Sequence, residues 1–364
     1  MLRVNPTSIR TLAAPMFEGQ FERWRGEEVV TRFDEATGGW MFIGVHSTVR
    51  GPAMGGTRMK SYPDPAAALE DVLRLSGAMT MKQAAADLPF GGGKAVLAVP
   101  AVPPRGSPER SDLLRRYGRL VDALHGTYVT AADMNTGEAE MDVIGEVTEH
   151  VLGRSRERGG SGDPSTGTAL GVLHAVRASC GQAFGTDELS GRTVLIQGVG
   201  AVGRRLAAHL VEAGASVSVS DIDEERARAT GFPVVSAGEE IGATCDVFAP
   251  CATGGVLSAE TIPRLRCAVV AGAANNQLAH PDDGEKLAEA GIVYAPDYIA
   301  NSGGVIWLTG YERLGWDDAT MSSRLAGIAA TLGRVFEEAE SQGLSPAVAA
   351  DRLALERLGS APPR

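Results

Sequence analysis

Alternation of apolar and polar residues is clearest near the start of the chain, where it predicts a β-hairpin over residues 27–50. β-Branched and aromatic residues occupy both runs, and Ala36-Thr37-Gly38-Gly39 between them is typical of a turn. The glycine-rich segment 51–59, GPAMGGTRM, predicts a loop after the hairpin.

A helical pattern follows, and it predicts a long amphipathic helix that begins at Asp64 and carries Lys82 near its end. Its apolar positions are Leu69, Val72, Leu73 and Leu75. Three glycines, residues 91–93, then precede Lys94 and a β-type run at residues 95–99. Lys94 is therefore expected where a loop enters a strand.

Two lysines in one cleft could have two different chemical functions. Repulsion between their ammonium groups favours loss of a proton from one, which can then act as a base, while the other binds a carboxylate. Two solvated surface lysines are the alternative. The GGGK segment is not a P-loop, because Ala95 stands where that motif needs Ser or Thr and Leu88 where it needs its first glycine.

The next elements extend this domain to a boundary. Residues 111–125 predict a helix, and TYVTAADMNT, residues 127–136, predicts a strand that runs into a loop bearing Asp133. Residues 153–168 are rich in Gly, Ser and charge, as linkers often are. We therefore expect one domain over residues 1–152, joined by C-terminal helices 321–364, and a second over residues 153–320.

The second domain opens on a strand–turn–helix unit. The apolar strand 193–197 leads into GVGAVG, residues 198–203, which opens a helix, and a second strand, residues 216–220, ends at Asp221. In this context GxGxxG predicts dinucleotide binding, with the pyrophosphate at the helix N-terminus. Asp221 would accept hydrogen bonds from the ribose 2′-hydroxyl and repel a 2′-phosphate, which favours NAD over NADP.

Three more short apolar runs predict the rest of a doubly wound parallel sheet. They are residues 246–250, 268–271 and 292–295, followed by polar or small-residue loops at 251–255, 272–276 and 296–304. In such a sheet those loops lie at the carboxyl ends of the strands, where the nicotinamide end of the cofactor is expected.

Composition narrows the class of protein. The 364 residues suffice for two domains, and the net charge of −11 disfavours nucleic-acid binding, which needs basic patches. The N-terminus lacks the apolar core of a signal peptide and no run is long enough to span a membrane, so a cytoplasmic protein is expected. Four scattered cysteines and six histidines show no ligand spacing, so no metal is expected.

Several motifs together resemble one family in order and spacing. They are GPAMGGTRM, MTMKQAAADLPFGGGKAV, TAADMNT, GDPSTGTALGV, GVGAVG, AGAANNQL and YAPDYIANSGGV. The chain is similar, from about residue 29 to residue 358, to the amino-acid dehydrogenases of the Glu/Leu/Phe/Val group. The resemblance implies an α/β homo-oligomer with an N-terminal substrate and oligomerisation domain, a Rossmann NAD-binding domain and an active-site cleft between them. It also implies reversible, NAD-dependent oxidative deamination of an L-amino acid to a 2-oxo acid and ammonia.

The resemblance also implies roles for residues. Lys94 would be the general acid/base that activates water, and Asp133 would hold the substrate amino group and shuttle its proton. Lys82, helped by the backbone of Gly56, would bind the α-carboxylate, and Asn275 would lie near substrate and nicotinamide. The other positions on the cofactor side or in the cleft are Arg58, Thr168, Gly198, Gly200, Ala201, Val202, Gly203, Asp221, Ile222, Ala252, Thr253 and Asn301.

Substrate choice follows from fewer positions. The glutamate enzymes of the group carry a lysine and a serine where this chain has Met54 and Leu308, so a buried glutamate carboxylate would be unpaired and a non-polar side chain is expected. Ala131 and Val305 resemble the leucine and valine enzymes, whereas VFAPCATGG, VVAGAANNQ and NSGGVIWLTG resemble the phenylalanine enzymes. Branched aliphatic and aromatic substrates both stay open.

Two other classes of protein are alternatives to an amino-acid dehydrogenase. A catalytically silent NAD-binding regulator would be expected to lack Lys94 or Asp133, and both are present. A 2-hydroxy-acid dehydrogenase would need a histidine as proton carrier, and the nearest candidates, His46 and His150, lie outside the glycine-rich and cofactor-side segments. Dependence of turnover on ammonium separates these classes.

Overall fold

The computed structural model describes residues 19–359, which pack as two compact units. The first unit contains residues 19–81 and 89–162, and the second contains residues 82–88 and 163–359. Each unit is built around its own five-stranded sheet, so the expected two-domain α/β organisation is confirmed.

The first sheet has the strand order β1-β2-β4-β3-β5. Its strands are β1 (Glu28–Asp34), β2 (Gly39–Ser47), β3 (Ala53–Lys60), β4 (Gly91–Ala98) and β5 (Tyr128–Ala132). The helices are α1 (residues 19–24, as far as it is described), α2 (Pro65–Ala85), α3 (Pro108–Asp122) and α4 (Glu138–Ile144). β1 and β2 form the predicted antiparallel hairpin, whereas β3 runs parallel to both β4 and β5.

Both faces of this sheet are covered by apolar side chains. Phe42 and Val96 pack with Leu69 and Val72 of α2 on one face, and the larger cluster around Tyr117 of α3 covers the other. The side chain of Asp64 accepts a hydrogen bond of 2.8 Å from the amide of Ala67. It therefore caps α2 at the predicted start.

Two glycine-rich segments differ from the prediction of loops, because both lie inside strands. Residues 53–60 form β3, and residues 91–93 open β4. A Cβ at Gly55 would lie 1.7 Å from the carbonyl oxygen of Gly93, and one at Gly92 would lie 2.1 Å from the amide of Thr80 in α2. These glycines let the strands and the helix approach each other closely. In the sequence, glycines that allow such close packing look the same as glycines that form a loop.

The second sheet is entirely parallel, with the order β10-β9-β8-β6-β7. Its strands are β6 (Thr193–Gln197), β7 (Ser216–Ser220), β8 (Val247–Pro250), β9 (Val269–Val270) and β10 (Val293–Tyr294). Its helices are α5 (Ser165–Phe184), α6 (Ala201–Glu212), α7 (Glu224–Arg228), α8 (Asp283–Glu289), α9 (Asp297–Ala300), α10 (Gly303–Glu312), α11 (Asp318–Gln342) and α12 (Pro346–Gly359). The chain winds outward from β6 in both directions, so the doubly wound Rossmann prediction is confirmed, with its switch point between β6 and β8.

The domain boundaries differ from those expected. The helices α11 and α12 belong to the second unit and not to the first, because the apolar face of α11 packs on α5. Residues 153–162 belong to the first unit, where the amide of Ser155 donates a 3.0 Å hydrogen bond to the side chain of Asp142. Within residues 19–359, no helix combines the length and the apolar character that a membrane crossing requires.

Candidate active site

In the first unit, side-chain alternation brings several of the expected residues to one sheet face, the face covered by α2. Gly92 lies against Thr80 of α2, and Lys94 follows two positions later on β4. On the neighbouring strand the same face carries Arg58, which reaches Asp71 of α2. By the same alternation this face presents Met54, Gly56 and Arg58 from β3, Lys94 from β4, and Ala131 and Asp133 from β5 and its end.

Lys94 and Asp133 form a close, largely buried ion pair. Nζ of Lys94 lies 2.9 Å from Oδ1 of Asp133, and the lysine side chain is only 6% exposed. The other carboxylate oxygen, Oδ2, accepts a 2.9 Å hydrogen bond from Nε of Arg58. Burial alone would raise the pKa of Asp133, but the charges of Lys94 and Arg58 outweigh it and hold that pKa well below its usual range. The carboxylate is thus ionised at neutral pH.

The backbone of β3 runs beside this pair. A Cβ at Gly56 would lie 2.8 Å from Cβ of Asp133 and 2.5 Å from the carbonyl oxygen of Ala132, so no larger residue fits there without displacing the end of β5. Thr136 then orients the turn, because its hydroxyl accepts a 2.9 Å hydrogen bond from the amide of Asp133. Gly56, Lys94 and Asp133 are therefore gathered in one place, as expected.

Arg58 was expected on the cofactor side, but here its guanidinium lies between two carboxylates of the first unit. Nε contacts Asp133 and Nη1 contacts Asp71, at 2.9 and 3.0 Å. Asp71 and its neighbour Tyr62 were missed by the sequence analysis. One feature of the sequence points to Asp71. It precedes Lys82 by eleven residues, about three helical turns, so the two residues lie on the same face of the helix.

In the second unit the GxGxxG segment has the shape that a pyrophosphate needs. Gly198 has φ +94°, a value that favours glycine, and a Cβ at Gly203 would lie 2.0 Å from the carbonyl oxygen of Gly198. A Cβ at Gly200 would meet nothing within 4 Å, so space remains above the N-terminus of α6, whose first residues are Ala201 and Val202. These residues fit a dinucleotide phosphate.

Asp221 follows β7 and is tied to the glycine-rich turn. Its Oδ2 accepts a hydrogen bond from the amide of Val199, and its Oδ1 accepts one from the amide of Asp223, both at 2.9 Å. Its neighbour Ile222 is 95% exposed. Each carboxylate oxygen has a further lone pair, so Asp221 can still accept a hydrogen bond from a hydroxyl group.

A second polar cluster joins Lys82, Asn275 and Asn301. Oδ1 of Asn275 accepts hydrogen bonds from Nζ of Lys82 at 3.1 Å and from Nδ2 of Asn301 at 3.0 Å. This fixes the orientation of the Asn275 amide. Oδ1 of Asn301 is buried and has no hydrogen-bond partner in the described part of the chain.

The remaining expected positions also lie in the second unit. Thr168 is on α5 and donates a 3.1 Å hydrogen bond to the carbonyl of Pro164, and Ala252 and Thr253 are exposed just after β8. On α10, Val305 is half-buried and Leu308 is buried.

His46 is occupied by structural contacts. Its two ring nitrogens lie 2.8 Å from the hydroxyl of Thr80 and 3.0 Å from the carbonyl oxygen of Trp24, and burial lowers its pKa. These contacts disfavour the proton-carrier role that a hydroxy-acid dehydrogenase would require of it.

Two family models together match most of the chain. Residues 34–150 match the family described as Glu/Leu/Phe/Val dehydrogenase, dimerisation domain, and residues 159–233 and 219–362 match Glutamate/Leucine/Phenylalanine/Valine dehydrogenase. The chain belongs to this dehydrogenase family. It is therefore an amino-acid dehydrogenase, and its Rossmann-type unit implies a nicotinamide cofactor.

Individual relatives cover nearly the whole chain. A leucine dehydrogenase of Geobacillus stearothermophilus is 42% identical over 93% of this chain and 92% of its own length. A valine dehydrogenase of Streptomyces albus is 44% identical over 92% of this chain and 93% of its own length. The crystal structure of L-tryptophan dehydrogenase from Nostoc punctiforme has a TM-score of 0.79 at 37% identity, covering 95% of this chain and 99% of that one.

Proposed function

We propose that this protein catalyses the reversible, NAD-dependent oxidative deamination of a non-polar L-amino acid, with branched aliphatic substrates preferred. The observation that carries the proposal is the buried Lys94 and Asp133 pair beside Gly56, in a family member that also has a dinucleotide-binding turn.

The proposal assigns the chemistry as follows. A bound nicotinamide cofactor would supply the hydride acceptor for Cα of the amino acid, whose oxidation yields an imino acid. Asp133 holds the amino group and takes its proton, and the amine of Lys94 activates the water that adds to the imine carbon before ammonia leaves. Lys82 binds the α-carboxylate as a fixed positive charge.

NAD is supported over NADP by the surroundings of Asp221. A carboxylate at the end of β7 accepts a ribose hydroxyl and repels a 2′-phosphate. Arg226 lies nearby, but its guanidinium is 3.0 Å from Asp223 and 3.6 Å from Asp221, so its charge is already matched by carboxylates. The exposed side chain of Ile222 offers an apolar surface to an adenine ring.

A non-polar substrate is supported by the four positions assigned to its side chain. Met54 and Leu308 are 3% and 6% exposed, and neither can pair a glutamate carboxylate. In this proposal the sizes of the Ala131 and Val305 side chains decide which substrate side chains are accepted. The similarity to leucine and valine dehydrogenases supports branched aliphatic substrates.

An aromatic substrate is the second candidate. It is supported by the structural similarity to a tryptophan dehydrogenase. A single methyl group changes preference by only about 1–3 kcal/mol, so overlap between the two classes is expected.

Self-association through the first unit is also part of the proposal, because residues 34–150 match a dimerisation domain. Sedimentation velocity tests this part alone. A monomer at micromolar concentration would refute it.

The deciding experiment follows NADH consumption with ammonium and a panel of 2-oxo acids. We expect 4-methyl-2-oxopentanoate and 3-methyl-2-oxobutanoate to exceed phenylpyruvate and indole-3-pyruvate, and 2-oxoglutarate to be poorest. Turnover without ammonium would refute the reaction class, and a preference for the aromatic acids would favour the second candidate.

Lys94→Ala provides the matched test of mechanism. We expect turnover to be nearly abolished while NADH binding, measured by fluorescence titration, is retained. Unaltered turnover would refute the role of Lys94.

A further inference from the structure

The environment of Asp133 contains more than its catalytic partner. Lys94 engages only one carboxylate oxygen, Oδ1, at 2.9 Å. The second oxygen, Oδ2, is held at the same distance by Nε of Arg58 from the neighbouring strand. A carboxylate gripped at both oxygens by groups on different strands has its plane fixed, whereas one held at a single oxygen can rotate.

Arg58 is itself held from behind by α2. Its Nη1 donates a 3.0 Å hydrogen bond to Oδ2 of Asp71. The same oxygen accepts a 2.6 Å hydrogen bond from the hydroxyl of Tyr62, and Oδ1 of Asp71 accepts one of 2.8 Å from Nη2 of Arg74. Oδ2 of Asp71 is thus shared by Arg58 and Tyr62, and these two contacts keep Asp71 against the guanidinium, whereas the Arg74 contact at Oδ1 lies at the exposed end of the network.

Burial strengthens this chain of contacts. The side chains of Arg58, Asp71 and Asp133 are 16%, 13% and 19% exposed, whereas Arg74, at the outer end, is 52% exposed. Shielded charge pairs are stronger and geometrically stricter than exposed ones. The shielded and geometrically constrained contacts of the network are therefore those that lead to Asp133.

We propose that Arg58 is a positioning residue that fixes the carboxylate of Asp133, and that Asp71 holds Arg58 in place. The inference rests on the proposed function, in which Asp133 handles the substrate amine. Arg58 acts here through another side chain, and its guanidinium is committed to two carboxylates of the first unit. It is not assigned to the cofactor.

The two roles for Arg58 predict different kinetics. A cofactor ligand would raise the NADH dissociation constant when removed. A positioning residue would lower kcat and leave NADH binding unchanged, because displacement of a reacting group by about 1 Å costs up to about 100-fold in rate.

The test compares four variants of the full-length protein: Arg58→Met, Asp71→Asn, Tyr62→Phe and, as the matched control, Arg74→Met. We expect Arg58→Met to lower kcat for oxidative deamination by about 10- to 100-fold, with Asp71→Asn less affected and Tyr62→Phe least. Arg74→Met, which loses only the exposed contact to Asp71, should stay within about twofold of the wild type. NADH dissociation constants should stay within about twofold in all four.

A pH profile adds a readout that a purely structural role would not change. The charged groups facing Asp133 are Lys94 from β4 and Arg58 from β3, with Asp71 of α2 behind Arg58. Loss of Arg58 removes one of the two positive neighbours, so the pKa of Asp133 rises. The fall of kcat/KM towards low pH should therefore move to higher pH in Arg58→Met and stay in place in Arg74→Met.

The outcomes separate the inference from the proposed function. Absence of wild-type turnover with every amino acid would refute the function itself. With an active wild type, an NADH dissociation constant raised more than about tenfold in Arg58→Met at unchanged kcat would overturn the positioning role. Equal behaviour of Asp71→Asn and Arg74→Met would overturn the role of Asp71. Arg58→Lys, which keeps the charge but cannot reach both carboxylates with a planar fork, should recover only part of the loss.

Discussion

Replacing Asp133 by asparagine should destabilise the first unit, because it removes the counter-charge of a buried lysine. Lys94 is 6% exposed and its ammonium lies 2.9 Å from the carboxylate, while Arg58 keeps its second partner, Asp71. Removal of one partner from a buried pair typically costs about 3–5 kcal/mol, since the remaining charge is left without compensation. We expect Asp133→Asn to lower the free energy of unfolding by about 3 kcal/mol, the lower end of that range, because only one of the two cations loses the one ion-pair partner it has within residues 19–359.

A double-mutant cycle separates this interaction from general damage. Lys94→Met combined with Asp133→Asn removes both charges, so the double variant should be less destabilised than the sum of the two single variants by about 2 kcal/mol. Urea unfolding at pH 7.5 and fixed protein concentration, followed by tryptophan fluorescence, gives the comparison. Strict additivity, or an Asp133→Asn variant within about 0.5 kcal/mol of the wild type, would refute the reasoning.

The difference in the free energy of unfolding between the wild type and Asp133→Asn should depend on pH in a definite direction. The folded-state pKa of Asp133 lies below the 3.8 of an ordinary aspartate. A depressed carboxyl pKa contributes stability that is fully present above the unfolded-state value and is lost as the pH falls towards the folded-state value. The gap in stability between the wild type and Asp133→Asn should therefore narrow as the pH falls below about 4. A gap that widens there would contradict the assignment.

Two further predictions concern the cofactor. Gly200→Ala fills open space above α6 and should weaken NADH binding by about tenfold or more, while the free energy of unfolding changes by no more than about 1 kcal/mol. Gly203→Ala places a Cβ 2.0 Å from the carbonyl oxygen of Gly198. It should weaken NADH binding and also lower the free energy of unfolding by about 1–3 kcal/mol. Fluorescence titration and urea unfolding measure the pair, and equal stability loss in the two variants would contradict the packing argument. Asp221→Ala should weaken NAD binding and reduce the ratio of kcat/KM with NAD to kcat/KM with NADP. An unchanged ratio would count against the contact between Asp221 and the ribose.

Elements whose signals are local could be predicted from the sequence alone. The hairpin β1–β2, the cap at Asp64 and the turn that carries Gly198, Gly200 and Gly203 depend on residues within a few positions of each other, and the structure contains each of them. Family motifs then located Lys94 and Asp133 and implied their roles, since those motifs are contiguous along the chain.

Which distant surfaces meet becomes evident only in the folded chain. The glycines of β3 and β4 resemble loop residues until Gly93 and Thr80 are seen against them, and α11 shows an apolar face without showing that α5 covers it. The pairing of Arg58 with Asp71 and Asp133 joins residues up to 75 positions apart. The physical reason is the same in each case: backbone propensity and periodicity act over a few residues, whereas close packing and charge pairing depend on which partners the fold brings within contact distance.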